Sequence, residues 1–353
     1  MARMHDNTVF HRVARFALTL DMERDCWMKG SLLTALLESG DASLIESAQN
    51  ILERAVTTQT SEGHLNYYDV LRYGAGHIVE QVPVAHGASI GYPLLLLYEQ
   101  VGNERYLHAA QRQADAILAA PRSHDGGISQ VGARIELWID YAYLLVPFLA
   151  KLGTITDQPN LVDEAYHQLE VHLHHLWDRE YNLARHAWSE VPNYFPQSAF
   201  WSRGNGWLAA GLVDLLSIAP VHPGADAAKK TLTRLIRALA SYQDASGYWR
   251  NVVDDPLEPL ETSGTLMHAY AFASAVEQKL AERAVLEDAK RAFSVVVGGV
   301  DDSGAVSGVA LPPGGPTVPL GVAPFGQGFF LLTWLVLQRL EPRAMSQGEL
   351  DAQ

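Results

Sequence analysis

The sequence of 353 residues has one cysteine, Cys26, and few basic residues. A single thiol excludes an intramolecular disulfide framework and any zinc or iron–sulfur site that needs several cysteines. Lys and Arg total 26 against 40 Asp and Glu, which gives a formal net charge of -14. Because nucleic acids and anionic membranes are bound through basic surfaces, neither is an expected partner.

Long hydrophobic runs are also missing. The most apolar stretches, residues 92–98 and 328–337, are much shorter than the roughly 20 residues that a membrane-spanning helix needs. The N-terminal segment carries Arg3, Arg12 and Arg15 and has no uninterrupted apolar core, which favours an amphipathic helix over a secretory signal peptide. We therefore expect a cytoplasmic location.

The sequence instead contains an internal repeat. Six apolar segments, each beginning at small or polar residues, recur at intervals of about 60 residues. Between them lie more polar stretches whose apolar residues are spaced by three and four, as in surface helices. The last five polar stretches are followed by turn-rich segments such as SEGHL (61–65) and DASGYW (244–249). The residues that mark the six apolar segments are Gly30, Gly91, Asp140, Gly206, Gly264 and Gly328.

Each repeat predicts an outer amphipathic helix, a short hairpin or loop, and an inner helix that is apolar nearly all round. Six such pairs closing into a ring form an (α/α)6 barrel, an all-α fold, as a single domain over residues 1–341. An open helical solenoid is the alternative, but neither terminal repeat has the polar face of a capping unit. The polar residues 342–353 predict a disordered tail.

In such a ring the N-terminal ends of the inner helices meet at one face, so the residues before each apolar segment converge on one cleft. Helix N-termini favour ligands that carry a carboxylate. Five tryptophans are in this set, and aromatic faces beside hydrogen-bonding groups suit a sugar. The converging residues are Trp27, Lys29, His86, Ser89, Glu136, Trp138, Asp140, His186, Trp188, Trp201, Arg203, Asn205, Trp207, Glu261, Thr262, Ser263, Phe325 and Gln327.

Two charged candidates also have structural interpretations. Asp140 lies in apolar surroundings, where a carboxyl tends to keep a proton and can act as an acid, but a helix cap would give the same pattern. Arg203 can clamp a substrate carboxylate in two contacts. The alternative is an internal ion pair with Glu136 or Glu190.

The uncharged candidates also have two interpretations each. His86 is either a ligand to a sugar oxygen or a structural histidine. Trp138 and Trp207 are either walls of the sugar site or part of the barrel core.

Four segments resemble a known family. WIDYAYLLVPFLA (138–150), FWSRGNGWLAAGLVDLL (200–216), YQDASGYWRNVVDDP (242–256) and LETSGTLMHAYAFA (260–273) are similar to the unsaturated glucuronyl and rhamnogalacturonyl hydrolases. These are glycoside hydrolase families 88 and 105, and the sequence is closer to 105. The resemblance runs in consistent order from about Trp27 to Leu337. It implies an (α/α)6 barrel, in agreement with the repeat.

The resemblance also implies roles. Asp140 corresponds to the family's general acid and base, and His186, Trp201 and Arg203 to residues lining the sugar site. Trp207 corresponds to a further aromatic wall. The candidate substrate-binding residues from both arguments are Trp27, His86, Trp138, His186, Trp201, Arg203, Trp207 and Glu261.

The sequence departs from the family pattern in two places. The family usually has a second Asp before the second inner helix, where this chain has His86. Basic or histidine residues expected after Gly127 are missing, and Ser129, Gln130 and Arg134 stand there. Both departures bear on which substrate is bound.

The activity implied by the resemblance is removal of a 4,5-unsaturated uronic acid from the non-reducing end of oligosaccharides that polysaccharide lyases produce. Asp140 would protonate C4 of the double bond and water would add to C5. No metal or organic cofactor is implied, and the expected partner is the unsaturated oligosaccharide. The sequence leaves the aglycone sugar and the oligomeric state open.

Three alternatives remain at this stage. An inverting glycosidase would pair Asp140 with Glu136 or Glu261 across about 6.5–9.5 Å. A sugar isomerase or epimerase would use His86 and His186. A non-catalytic carbohydrate-binding protein would use the tryptophans alone.

Overall fold

The computed structural model describes residues 7–21, 26–65, 85–129, 134–312 and 314–341. A 3-10 turn, Cys26–Lys29, precedes the second helix. In chain order the α-helices of these ranges are α1 (Asn7–Ala17), α2 (Gly30–Glu38), α3 (Ala42–Thr57), α4 (Ala85–Val101), α5 (Glu104–Leu118), α6 (Tyr141–Leu144), α7 (Val146–Ile155), α8 (Pro159–Leu176), α9 (Ser202–Ile218), α10 (Ala225–Ser241), α11 (Thr262–Glu277), α12 (Val285–Gly298) and α13 (Pro324–Leu340).

The inner helices close into a ring. Helix α2 contacts α4, α4 contacts α7, α6 contacts α9, α9 contacts α11, α11 contacts α13, and α13 returns to α2. The predicted (α/α)6 barrel is therefore confirmed, and the open solenoid is excluded. The inner helices are buried on nearly all sides, as their apolar composition requires: in α13 every residue from Pro324 to Trp334 is buried.

The outer helices α1, α3, α5, α8, α10 and α12 surround this ring. Their amphipathic faces pack inward, so that in α10 the buried residues include Leu232, Leu235 and Leu239 at three- and four-residue spacing. The turn after α12 packs closely on α1 at Gly304. This residue has φ of +96°, and an added Cβ would lie 2.3 Å from the Arg12 carbonyl oxygen. Only glycine fits this position, and the contact closes the barrel on its outside.

Short strands lie in the loops between the helices. They are β1 (Glu136–Trp138), β2 (Trp177–Asp178), β3 (Leu183–Ala184), β4 (Ala187–Ser189), β5 (Tyr194–Gln197), β6 (Trp249–Arg250), β7 (Leu260–Glu261), β8 (Val309–Ala310) and β9 (Leu320–Gly321). β1, β4 and β5 form a three-stranded antiparallel sheet in that order, and the other strands form hairpins. β7 leads directly into the inner helix α11, and β1, β5 and β9 end shortly before α6, α9 and α13, so these strands help to fix the residues at the helix N-termini.

The third inner helix differs from the prediction of one continuous helix. It is divided into α6 and α7 at Leu145, whose φ and ψ are -113° and -49°. Pro147 lies at the start of α7. Proline has no N–H to donate and disfavours helical geometry before it, which accounts for the break.

Two sequence-based predictions remain as they were. The polar tail, residues 342–353, lies outside the described residues. No helix in the described ranges is both long and apolar enough to cross a membrane. The cytoplasmic location itself stays a prediction.

Candidate active site

Asp140 stands at the mouth of the barrel, directly before α6. Its backbone carbonyl accepts from Leu144 N at 3.0 Å, but its side chain makes no capping hydrogen bond, so the helix-cap interpretation is wrong. The carboxyl oxygen Oδ2 lies 3.2 Å from Nε2 of His186, and the Asp140 side chain keeps 15% of its surface exposed. The local fold creates this contact, since Ile139 N donates to the His186 carbonyl at 3.0 Å across the β1–β4 ladder.

Aromatic rings enclose the histidine of this pair. The ring centre of His186 lies 5.0 Å from that of Trp138 and 4.4 Å from that of Trp201. Trp138 is half-buried and its Nε1 donates to Glu136 at 3.1 Å. His186 is 1% exposed. The Asp140–His186 pair therefore has apolar surroundings that strengthen electrostatic interactions.

The ring of side chains continues around the mouth. The Arg203 guanidinium lies over Trp201 at 4.2 Å and over Phe325 at 4.6 Å. Phe325 stacks on Trp27 at 5.2 Å, and Trp27 lies 6.0 Å from the His86 ring. Residues from separate inner-helix N-termini thus meet at one place, as the repeat predicted.

Arg203 is a buried cation that forms no salt bridge with any residue in the described ranges. It is 1% exposed and its Nη1 donates to the Ala310 carbonyl and, at 3.5 Å, to Ser263 Oγ. Neither predicted ion pair forms, because Glu136 pairs with Arg134 and Glu190 with His124. Burial lowers the pKa of Arg203 to about 10, an effect that the charges of Glu261 and Asp140 partly oppose.

Glu261 is a helix cap and does not face the cleft. It is 0% exposed, and its carboxylate accepts hydrogen bonds from Ser263 N at 2.8 Å, Gly264 N at 2.6 Å and Ala310 N at 2.8 Å. Ser263 Oγ donates to it as well. The sequence predicted that Glu261 contacts substrate. In the structure its side chain is instead fully used in holding α11 and β8, and Ala310 links it to Arg203.

His86 lies in the first turn of α4 beside Trp27. Burial lowers its pKa to about 4, although the negative charge of Asp140 acts in the opposite direction. His86 is therefore neutral at neutral pH. A neutral imidazole therefore lies where the resemblance led us to expect a carboxylate.

Two of the candidate tryptophans have different surroundings. Trp207 is 1% exposed and packs on Tyr143 and Phe329 below the mouth, as the barrel-core interpretation required, although it also approaches Trp27 at 6.3 Å. The expectation that Trp188 points into the cleft is wrong. Its ring stacks on His175 of outer helix α8 at 3.7 Å. A register irregularity between Ala187 and Ser189 interrupts the strand alternation there.

Several buried polar atoms of the site have no hydrogen-bond partner among the described residues. They are Asp140 Oδ2, His186 Nε2, Arg203 Nε and Trp207 Nε1. Native proteins rarely leave such atoms unpaired, and a cluster of them indicates a place where a polar ligand binds. The 3.2 Å contact of Asp140 with His186 is poorly aligned for a hydrogen bond, as catalytic contacts without ligand often are.

Sequence reasoning missed one residue of the site. Gln197 on β5 places its Oε1 2.5 Å from Nδ1 of His186. The signal for it is non-local, because Gln197 pairs with Ala187 across the β4–β5 ladder. In the described part of the chain, no three or more His, Cys, Asp or Glu residues are grouped so that they could hold a metal ion.

The comparison with known families decides the class. The model of Glycosyl Hydrolase Family 88 matches residues 4–340. The chain belongs to this family. The resemblance noted in the sequence is thereby confirmed, and this family 88 protein is a glycoside hydrolase.

Individual relatives agree with this membership. The family 88 chain is 26% identical over 312 residues to an unsaturated rhamnogalacturonyl hydrolase of Bacillus subtilis, covering 86% of this chain and 84% of the relative. A possible family 105 member from Salmonella enterica has a TM-score of 0.81 at 23% identity, covering 95% and 93% of the two chains. An unsaturated glucuronyl hydrolase from Bacillus sp. GL1 has a TM-score of 0.73 at 15% identity, covering 94% and 96%. The two structural likenesses show the barrel fold.

Proposed function

We propose that this glycoside hydrolase removes a 4,5-unsaturated uronic acid from the non-reducing end of an oligosaccharide, with Asp140 as general acid and base. The observation that carries the proposal is the cluster of unpartnered polar atoms on Asp140, His186 and Arg203 at the barrel mouth. The cluster combines a proton donor with a buried cation, the two groups that an unsaturated uronate needs.

The chemistry needs only one carboxyl group. Protonated Asp140 delivers its proton to C4, which breaks the C4=C5 π bond and leaves positive charge on C5, stabilised by the ring oxygen. Water then attacks C5 and gives its proton to the Asp140 carboxylate, which restores the starting acid. The hemiketal formed at C5 opens and releases the aglycone. Protons balance over the cycle, and one water is consumed.

The buried guanidinium suits the substrate carboxylate. Arg203 is desolvated and has no acidic partner among the residues that the structure describes. A uronate carboxylate would supply the missing charge and accept from the free Nε. The aromatic rings of Trp27 and Trp138, both half-buried, would face the apolar side of a sugar ring.

Two observations argue against the inverting-glycosidase and isomerase hypotheses. The second carboxylate of an inverting glycosidase would be Glu136 or Glu261, and both are held by other groups. An isomerase would need His86 as a base, but its lowered pKa of about 4 makes it a weak one. Both arguments concern the residues that the sequence nominated for these alternatives.

The test is a panel of lyase-generated unsaturated disaccharides, each paired with its saturated counterpart. We expect loss of the conjugated ultraviolet absorbance with at least one unsaturated substrate, and no cleavage of the saturated twin. Because the Bacillus subtilis relative is named a rhamnogalacturonyl hydrolase, rhamnogalacturonan disaccharides come first. Cleavage of saturated twins at a similar rate would indicate a conventional glycosidase, and interconversion of free monosaccharides an isomerase.

A further inference from the structure

The contact between Gln197 and His186 determines which nitrogen of the imidazole carries hydrogen. Oε1 of Gln197 lies 2.5 Å from His186 Nδ1, and an amide oxygen only accepts. Nδ1 is therefore the protonated nitrogen of the neutral ring. His186 Nε2 then presents a lone pair to Asp140 Oδ2, 3.2 Å away.

This tautomer has a consequence for Asp140. A lone pair accepts a proton from a carboxylic acid but gives nothing to a carboxylate. Once ligand binding aligns the two groups into a hydrogen bond, the contact favours the protonated carboxyl of Asp140, which is the form that a general acid must have. The opposite tautomer, with hydrogen on Nε2, would donate to the carboxylate and favour its ionised form.

The low dielectric around His186 acts in the same direction. Trp138 and Trp201 enclose His186, and low-dielectric surroundings disfavour an imidazolium–carboxylate pair relative to two neutral groups. The other titratable groups whose charges couple to Asp140 are His86 from α4, Arg203 from α9 and the adjacent Tyr141. His86 is neutral and Tyr141 is buried and un-ionised, so Arg203 is the one charged neighbour among them. Its positive charge acts in the opposite direction and favours the carboxylate.

We propose that Gln197 is a positioning residue that acts through His186: by holding hydrogen on Nδ1, it keeps the reactive proton on Asp140. Gln197 lies on β5, opposite the residue that follows His186, so the strand pairing fixes its reach. The kinetic part of this inference rests on the proposed function. The tautomer part does not.

The tautomer is measured directly by nitrogen NMR on the full-length protein with 15N-labelled histidine, using His186→Gln to assign the signals. We expect a protonated Nδ1 and an unprotonated Nε2 for His186 in the wild type at neutral pH. In Gln197→Met, which keeps the side-chain length but has no acceptor, we expect Nε2 to gain hydrogen. A wild-type His186 with hydrogen on Nε2 would overturn the proposal.

The kinetic readout is the pH profile with an unsaturated disaccharide. In Gln197→Met we expect the alkaline limb of kcat to move about half a pH unit or more to lower pH, because Asp140 is no longer held in its acid form. We expect kcat at neutral pH to fall about 10-fold with little change in KM. An alkaline limb and a tautomer that both stay as in the wild type would refute the role of Gln197.

Two variants keep the test decisive. Gln197→Glu retains an acceptor for Nδ1 but stabilises an imidazolium, so it should lower activity at neutral pH while His186 becomes doubly protonated. This variant serves if Gln197→Met does not fold. Gln278→Met is the matched control, since Gln278 caps the far end of α11 and donates to the Val213 carbonyl at 3.1 Å. If no unsaturated substrate is turned over, the proposed function fails, yet the NMR result still decides the tautomer.

Discussion

Two aspartates face the interior of the barrel, and their neighbours give them different properties. Asp140 stands at the mouth, beside His186 and within the field of Arg203. Asp214 lies on α9, seven residues and roughly 10 Å beyond Trp207 along the helix. Its Oδ1 accepts from the Tyr270 hydroxyl at 2.7 Å.

No cation among the residues placed by the structure offsets the burial of the deeper aspartate. Burial raises the pKa of Asp214 to about 7, and the charge of Glu38 adds to the effect. A small cavity beside it is lined by Tyr92, Tyr143 and other polar side chains. In Asp214, burial and the charge of Glu38 together favour the protonated carboxyl. What distinguishes Asp140 is its partial exposure at the barrel mouth and its contact with His186.

The two aspartates should differ most in the effect of their substitution on kcat. Asp140→Asn keeps the shape of the side chain but has no proton to deliver, so kcat should fall about 10²–10⁴-fold. Asp214→Asn is the matched control deeper in the barrel and should retain activity within about twofold. Initial rates on an unsaturated disaccharide measure both, with circular dichroism to verify folding. Normal kcat in Asp140→Asn would show that another group is the acid.

Substitution of Arg203, the cation near Asp140, should have the next largest effect. Arg203→Lys keeps the charge but loses the planar fork, and a charged hydrogen bond of about 1.5–3 kcal/mol corresponds to a rise in KM of roughly 10–100-fold. Arg339→Lys is the control, since Arg339 pairs with Glu277 through Nε at 2.7 Å on an outer surface. If Arg203→Lys unfolds or keeps its KM, Arg203 serves the structure and not the substrate.

Placing a second carboxyl at the mouth sharpens the comparison. His86→Asp would set a like charge near Asp140 and favour retention of the Asp140 proton, so the alkaline limb of kcat should move up by about one pH unit. The ranking of aglycones should change as well, because His86 lies beside Trp27. Profiles and rankings identical to the wild type would remove His86 from the site.

The deeper aspartate affects stability instead. Because its folded-state pKa of about 7 lies above the ordinary 3.8, its contribution is fully present below about pH 4 and is lost as the pH rises to 7. At pH 8 the free energy of unfolding of Asp214→Asn should therefore exceed that of the wild type by about 1–4 kcal/mol, as measured by denaturant titration. This difference should disappear near pH 4. A gap that stays constant with pH would show that Asp214 is not neutral in the folded protein.

Much of the barrel was predictable because its cause is local. The apolar pattern of each inner helix and the spacing of the repeats are written in consecutive residues, and closure of the ring follows from them. The break at Leu145 was also readable from Pro147, although the sequence prediction ran the helix through it. Asp140 was found because it precedes an inner helix. Asp214 has an equally apolar context, LVDLL, but lies deep within one.

The missing parts of the site depend on contacts between distant segments. Gln197 reaches His186 only through strand pairing, and the Ala310 peptide joins Arg203 to Glu261 from a different repeat. The orientation of Trp188 depends on a strand irregularity that spacing does not encode. A motif places a residue near the cleft, but hydrogen bonding decides whether it faces the ligand or supports the fold.

The central claim is that Asp140 delivers a proton to C4, and it is tested most directly by running the reaction in D2O and locating deuterium in the product by NMR. The account predicts one deuteron at C4, on a single face, in the first product formed by the wild type. Spontaneous exchange next to the C5 ketone would label both faces and is followed with preformed product. A released sugar that carries an intact C4=C5 bond and no deuterium at C4 would contradict the account.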